Sequence, residues 1–257
     1  MTAHVRVGGV WRTFAPRMKI GGAWKNATGG WVKVAGTWRK FYAATVPPAV
    51  TLYASTIDTN AGNRSVTANA AIGDLIVVVM LVSGATSVTS ITDDKGGTYT
   101  YITSALKQTN ADAIAVYIRS ALCTVAGNHV ITATLPTNTG GGIVALKVVG
   151  MTKAGSAAYR QQMTQDNQSI AGVPSPVFLS VPVITNPIIG VMANRSDPAT
   201  MTPASGYTEL VDSGFTTPLQ GLHVMSRNSG ETNTTIAWGS SSASAYCSII
   251  VELDASP

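Results

Sequence analysis

A chain of 257 residues is long enough for one large domain or two small ones, and can bury a core without disulfide or metal staples. Only 11% of the residues are charged while 45% are hydrophobic, so against roughly 25% charge in ordinary soluble domains the surface must be built from Ser, Thr, Asn and Gly. The longest apolar run, Leu75 to Val82, is far shorter than the about 20 residues of a spanning helix; it reads as a buried strand, and no membrane partner is expected.

The formal charge of +5 hides an asymmetry. Arg6, Arg12, Arg17, Lys19, Lys25, Lys33, Arg39 and Lys40 fall in residues 1–45 without a single acid, so this segment carries +8 and the remainder −3. The same segment writes one unit three times: Val5-Arg6-Val7-Gly8-Gly9-Val10-Trp11-Arg12, then Met18-Lys19-Ile20-Gly21-Gly22-Ala23-Trp24-Lys25, then Val32-Lys33-Val34-Ala35-Gly36-Thr37-Trp38-Arg39. Two small residues between β-prone triplets suit a two-residue hairpin turn. Each unit is therefore predicted to be a β-hairpin with Arg6 facing Trp11, Lys19 facing Trp24 and Lys33 facing Trp38, a cation beside an indole each time. Ala35 in place of the first glycine makes a tight type I′ turn less suited to the third unit. Isolated hairpins are marginal in water, so the arm is expected to order only against a partner, through Arg6, Trp11, Lys19, Trp24, Trp31, Lys33, Trp38 and Arg39.

His4, Arg6 and Arg12 among glycines leave no continuous apolar stretch at the N-terminus, so a secretory signal is not expected. Pro47-Pro48 prevents a continuous ladder and marks a linker, placing domains at 1–45 and 46–257.

The body shows β-rich runs bounded by Gly, Asn, Ser and Asp: Leu75–Val82, Tyr99–Thr103, Ile114–Arg119, His129–Thr134 and Ile143–Val149. A second series repeats the order: Ile188–Met192, Tyr207–Val211, Leu222–Ser226, Thr234–Trp238 and Ala245–Leu253. Aligning Leu75 with Ile188, Tyr99 with Tyr207, Val116 with Val224, Ile131 with Ile236 and Val144 with Ile249 gives a nearly constant offset, the mark of an internal duplication with halves at about 49–150 and 170–257. The expected fold is all-β: the hairpin arm followed by an internally duplicated antiparallel β-sandwich. Leu75–Val82 is apolar on both faces, which favours one larger two-sheet, jelly-roll-like sandwich over two small ones. Residues 152–173 read as a crossover or as a short helix around Tyr159–Gln165.

The arm resembles the Val-Lys-Val-Gly-Gly-Val-Trp-Lys repeats of tail and other virion proteins of tailed bacteriophages, three times over between Val5 and Arg39. The body resembles a β-sandwich domain of phage and bacterial surface proteins, on Gly73-Asp74-Leu75-Ile76-Val77, on Ile91-Thr92-Asp93-Asp94-Lys95-Gly96-Gly97-Thr98-Tyr99-Thr100 and on Gly206-Tyr207-Thr208. The resemblance implies a structural component of a particle, assembled in the host cytoplasm and resident in the virion, with tail, tail-tip or fibre attachment ahead of capsid decoration. Its partners would be other virion proteins and further copies of the chain in a trimer or ring. It transfers no catalytic residue.

Residue chemistry offers little else. His4, His129 and His223 have no neighbouring nucleophile motif, and the last two read as partly exposed sheet histidines at strand starts. Asp93-Asp94 could begin a calcium site but is also ordinary turn chemistry. The twelve acids are scattered, and no pair proposes itself for glycoside cleavage. Gly140-Gly141-Gly142 lacks the Lys-Ser/Thr of a phosphate loop and reads as a turn. Cys123 and Cys247 have no metal-binding spacing and read as small buried hydrophobes. Ser240-Ser241-Ser242 and Asn194-Arg195-Ser196 are polar loop composition. No enzyme activity, metal or cofactor is expected. Two other functions compete: an adhesin binding a host-surface glycan or receptor through Asn194–Ser205 and Ser226–Asn233, and a nucleic-acid contact through the basic arm. The second is disfavoured because the hairpin register commits each central cation to its own tryptophan.

Overall fold

The structure, a computed structural model, describes the chain apart from residues 1–2, 8–9, 15–16, 21–22, 27–28, 35–36, 44–45, 85–87, 89, 108–112, 136–138, 168–172, 196–200, 218, 240–244 and 256–257; in the arm it describes strands rather than side chains. The chain divides into two compact units between Pro47 and Pro48, inside the Pro-Pro pair.

The first unit holds β1 (Ala3–Val7), β2 (Val10–Phe14), β3 (Arg17–Ile20), β4 (Ala23–Asn26), β5 (Gly29–Val34) and β6 (Thr37–Ala43). They form three separate two-stranded antiparallel sheets, β1-β2, β3-β4 and β5-β6. The registers put Arg6 opposite Trp11, Lys19 opposite Trp24 and Lys33 opposite Trp38. The small-residue turns at 8–9, 21–22 and 35–36, Ala35 included, lie outside the described residues.

The second unit is an antiparallel β-sandwich. Its strands are β7 (Ala49–Asp58), β8 (Arg64–Ala70), β9 (Leu75–Ser83), β10 (Ser90–Asp93), β11 (Thr100–Lys107), β12 (Ile114–Leu122), β13 (Gly127–Thr134), β14 (Gly140–Val149), β15 (Tyr159–Asn167), β16 (Ile188–Asn194), β17 (Thr208–Thr216), β18 (Leu219–Arg227) and β19 (Tyr246–Leu253). Three sheets hold them where two were expected: β10-β13-β8, β11-β12-β9-β14-β7 and β15-β19-β16-β18-β17. The reason is visible in β9. Leu75, Val77, Val79 and Leu81 join the core shared with Ile189, Val191, Ile249 and Val251 of the third sheet, while Ile76, Val78, Met80 and Val82 join the core under β8 and β13. A strand apolar on both faces is the centre of a middle layer, with a sheet packed on each side.

The outer face of the third sheet is covered differently. Phe178, Ile236 and Trp238 pack on Ile188, Met192, Met225 and Ile250, carried by two extended segments joined through Phe178 N–H to Thr234 O, Ile236 N–H to Pro176 O and Trp238 N–H to Pro174 O. Thr234–Trp238, expected as a full strand, contributes a single bridge, Thr235 to Val177, because prolines at 174 and 176 cannot donate to a ladder. Gly190 leaves room for this cover, since a Cβ there would stand 2.6 Å from Met225 Cε and 3.3 Å from the Trp238 ring.

The two five-stranded sheets have one strand order: β11-β12-β9-β14-β7 matches β17-β18-β16-β19-β15. Placing Val79 on Val191 brings Val144 onto Ile249, as the sequence alignment had it. The same superposition puts Ile118, not Val116, on Val224 and Pro187, not Ile188, opposite Leu75. Leu75 and Ile188 in fact point into different cores, since a one-residue slip turns a strand over.

Among the described residues of 152–173, a 3-10 turn at Gly155–Ala158 is followed by β15, and Tyr159–Gln165 is strand, not helix. Gly140-Gly141-Gly142 is the start of β14 and not a turn. A Cβ on Gly141 would stand 2.5 Å from the Leu81 carbonyl and one on Gly142 2.7 Å from Ile57; the glycines admit neighbouring strands to close approach.

Candidate functional site

The eight residues expected to dock a partner all lie in arm strands. Arg6, Lys19 and Lys33 face Trp11, Trp24 and Trp38 across their hairpins, Arg39 pairs with Val32, and Trp31 pairs with Lys40 beside a register shift at Gly30. Thus the same cation-opposite-indole position recurs in three hairpins. The contacts of these side chains lie outside the described residues.

Among the described residues of the body, Asp93, His129, His223 and Glu252 are buried or partly buried against protein partners. Asp93 closes its own turn: Oδ1 accepts from Lys95 N–H and Gly97 N–H, both at 2.8 Å, and Oδ2 accepts from the Tyr99 hydroxyl at 2.9 Å. Asp94 accepts from Val130 N–H at 2.9 Å, tying the turn to β13. Burial is the largest single influence and pushes the Asp93 carboxyl up, but the bonds from Gly97, Tyr99 and Lys95, with the one to His129, together outweigh it and hold the carboxyl below the usual carboxylate range. Burial and the same carboxylate drive the Tyr99 hydroxyl well above its ordinary value.

His129 and His223 are buried, at 2% and 0% exposure, and not partly exposed as the sequence suggested. His129 sets Nδ1 at 3.3 Å from Asp93 Oδ2 and Nε2 at 2.8 Å from Val125 O, with Cys123 Sγ 3.5 Å from Nε2. Cysteine, histidine and aspartate in that order resemble a nucleophile relay. The chemistry opposes it. The thiol donates to the Val125 carbonyl at 3.1 Å and burial raises its pKa, so the thiolate that would attack is disfavoured. Cys247 is buried and free as well, its thiol pushed up to about 12 by burial.

His223 accepts from Trp238 Nε1–H at 3.0 Å through Nδ1 and stands 3.4 Å from Glu209 Oε2 through Nε2. Desolvation lowers its pKa, outweighing the upward pull of Glu209. Glu252, with its side chain fully enclosed, accepts from Arg160 Nη1 and Gln161 Nε2 at 2.6 Å, Asn186 Nδ2 at 2.7 Å and Val183 N–H at 2.8 Å. It pins β15, β19 and the segment between β15 and β16 together. A buried carboxylate with this many donors was not singled out in the sequence, although an acid inside the apolar run Ala245–Leu253 was the signal available.

The two loops considered for ligand binding start at opposite ends of the third sheet: Asn194 ends β16 beside Gly221 of β18, whereas Arg227 ends β18 beside Ile188 of β16. The second is closed on itself. Arg227 donates to Ser229 O, Gly230 O and Glu231 Oε2, and Glu231 accepts from Thr232 N–H, Asn233 N–H and Asn233 Nδ2. Among the described residues, no group of three or more His, Cys, Asp or Glu side chains gathers that could hold a metal ion.

Comparison with protein-family models, curated proteins and solved structures finds no match.

Proposed function

We propose that this chain is a non-enzymatic structural component of a tailed-phage particle, with the arm docking onto neighbouring virion proteins and the sandwich forming the exposed body. Attachment at the tail, tail tip or fibre is favoured over capsid decoration. The observation that carries this reading is the arm's build: three hairpins, each a sheet by itself, each with a cation opposite a tryptophan at the same register position. A two-stranded sheet is marginally stable at best in water, and aromatic residues with arginine are the side chains that dominate protein contacts. The body supports the reading from the other side. Its buried acids and histidines are engaged with protein groups, and the matched strand orders of its two large sheets support a duplicated building unit whose role is bulk.

The test is assembly of particles with a chain lacking residues 1–45. The reading predicts a folded body in solution that fails to join the particle. Normal incorporation of the truncated chain would refute it.

A further inference from the structure

The middle sheet has five strands, and the sheet packed on the Met80 side of it has three. At its edge strand β11 Tyr101 is left 51% exposed. Tyr101 lies opposite Arg119 of β12 and Ser104 opposite Tyr117, with a bulge between Tyr101 and Thr103. The Tyr101 hydroxyl shares a hydrogen bond of 2.8 Å with Ser104 Oγ, and the Arg119 guanidinium carbon stands 6.0 Å from the centre of the Tyr101 ring. Tyr117 is buried with the core residues under β8 and β13, which gives the group a firm base.

Arg119 has no counterpart to answer it. Arg64, Lys95, Lys147, Lys153, Arg160 and Arg227 each stand within 4.0 Å of a carboxylate. Among the described residues Arg119 has neither a carboxylate nor a hydrogen-bond partner, and its Nε is shut off from solvent. Acids outnumber lysines and arginines in residues 46–257, so the lack is not one of supply. An enclosed N–H without an acceptor costs stability.

The fold does not itself call for a cation at this place. In the third sheet, the superposition that puts Ile118 on Val224 puts Arg119 on Met225 and Tyr101 on Glu209, with a bulge at the same point of the edge strand. Met225 is fully buried with Trp238, and Glu209 is turned to His223. One half of the body fills this place with protein; the other leaves it open with a fork of N–H donors in it.

We propose that Tyr101, Ser104 and Arg119 form a binding site for a carboxylate-bearing sugar, a uronate unit of a glycan. A guanidinium meets a carboxylate through two parallel N–H···O bonds. The half-exposed tyrosine ring takes the C–H face of the pyranose, and the hydroxyls of Tyr101 and Ser104 exchange hydrogen bonds with those of the sugar. An acidic peptide would bring the carboxylate without the flat, hydroxyl-edged ring that the rest of the site fits.

Titration of the full-length chain with methyl glucuronide, methyl glucoside, acetate and tetraglutamate, followed by NMR of the probes, tests this. Methyl glucuronide should bind at least about tenfold tighter than each of the other three. Arg119→Met gives the first half the residue that the second half has at the matching position. It should resist denaturant at least as well as the native chain, having lost an unpaired N–H, and should no longer distinguish glucuronide from glucoside. Tyr101→Ala should weaken the binding of both sugars. In the native chain, glucuronide bound no tighter than glucoside, acetate or tetraglutamate would overturn the proposal. So would a drop in stability of Arg119→Met, which would make the arginine a structural residue, or glucuronide binding unchanged in either variant. The readout needs no particle, so its outcome is independent of whether the arm anchors.

Discussion

The arm and the body answer the same physical demand in opposite ways. The body stacks three sheets and a proline-rich cover so that apolar faces are buried and the enclosed carboxylates of Asp93, Glu231 and Glu252 find donors within the chain. The arm places its described strands in three sheets of two strands each. A segment built for stability pairs its strands into wider sheets; one built for docking keeps its edges and aromatic positions available. On the proposed function, stability belongs to the residues from Pro48 onward and attachment to those before it.

Substitutions in the body should bear this out in order of size. Glu252→Ala removes the acceptor of Arg160, Gln161, Asn186 and the Val183 amide and leaves a partly enclosed guanidinium without its counter-charge; a loss of about 3–5 kcal/mol is expected by chemical denaturation. Asp93→Ala opens a turn closed by two backbone amides and a buried tyrosine, at about 1–3 kcal/mol. Because the Asp93 carboxyl titrates below its unfolded value, its contribution is full above the ordinary carboxylate range and fades as pH falls through the lowered folded value; Asp93→Ala should flatten that acid limb.

A smaller effect of the same sign, at higher pH, belongs to His223. Its pKa is lowered from 6.5 in the fold, so below pH 6.5 the unfolded chain takes up a proton that the folded chain refuses, and stability declines as the pH drops. Unfolding followed at pH 7.5 and pH 5 should show the decline in the native chain and a weaker one in His223→Gln. The smallest effect is the one that sharpens the contrast most: Trp24→Ala in the arm should shift the body's unfolding by less than about 0.5 kcal/mol. A larger shift would mean that the arm stabilises the body.

What could be read in advance follows the range of the interactions concerned. The hairpin registers were legible because a two-residue turn fixes every pairing beyond it, and β9 was legible because apolar side chains on both faces leave one place to put it. β7 was missed since Thr51, Leu52, Ser55 and Thr56 are exposed along it, and β8 because its buried positions include Ala68 and Ala70, which carry little β signal. β15, with Gln161, Gln162 and Gln165 in its nine residues, was read as a crossover or a short helix. The third sheet as a separate layer depended on which face each strand of the second half turned inward, and the alignment of Leu75 with Ile188 had that face reversed. The buried histidines were out of reach for another reason: their partners stand 36 residues away in Asp93 and 15 away in Trp238.

Hydrogen exchange of the arm's backbone amides, followed in the free chain and in the assembled particle, tests the central claim most directly. The amides of β1 to β6 should exchange within seconds in the free chain while those of β9 and β16 stay protected, and should become protected once the chain is incorporated. Arm amides protected in the free chain to the level of the body, or unprotected after incorporation, would contradict the assignment of attachment to the arm.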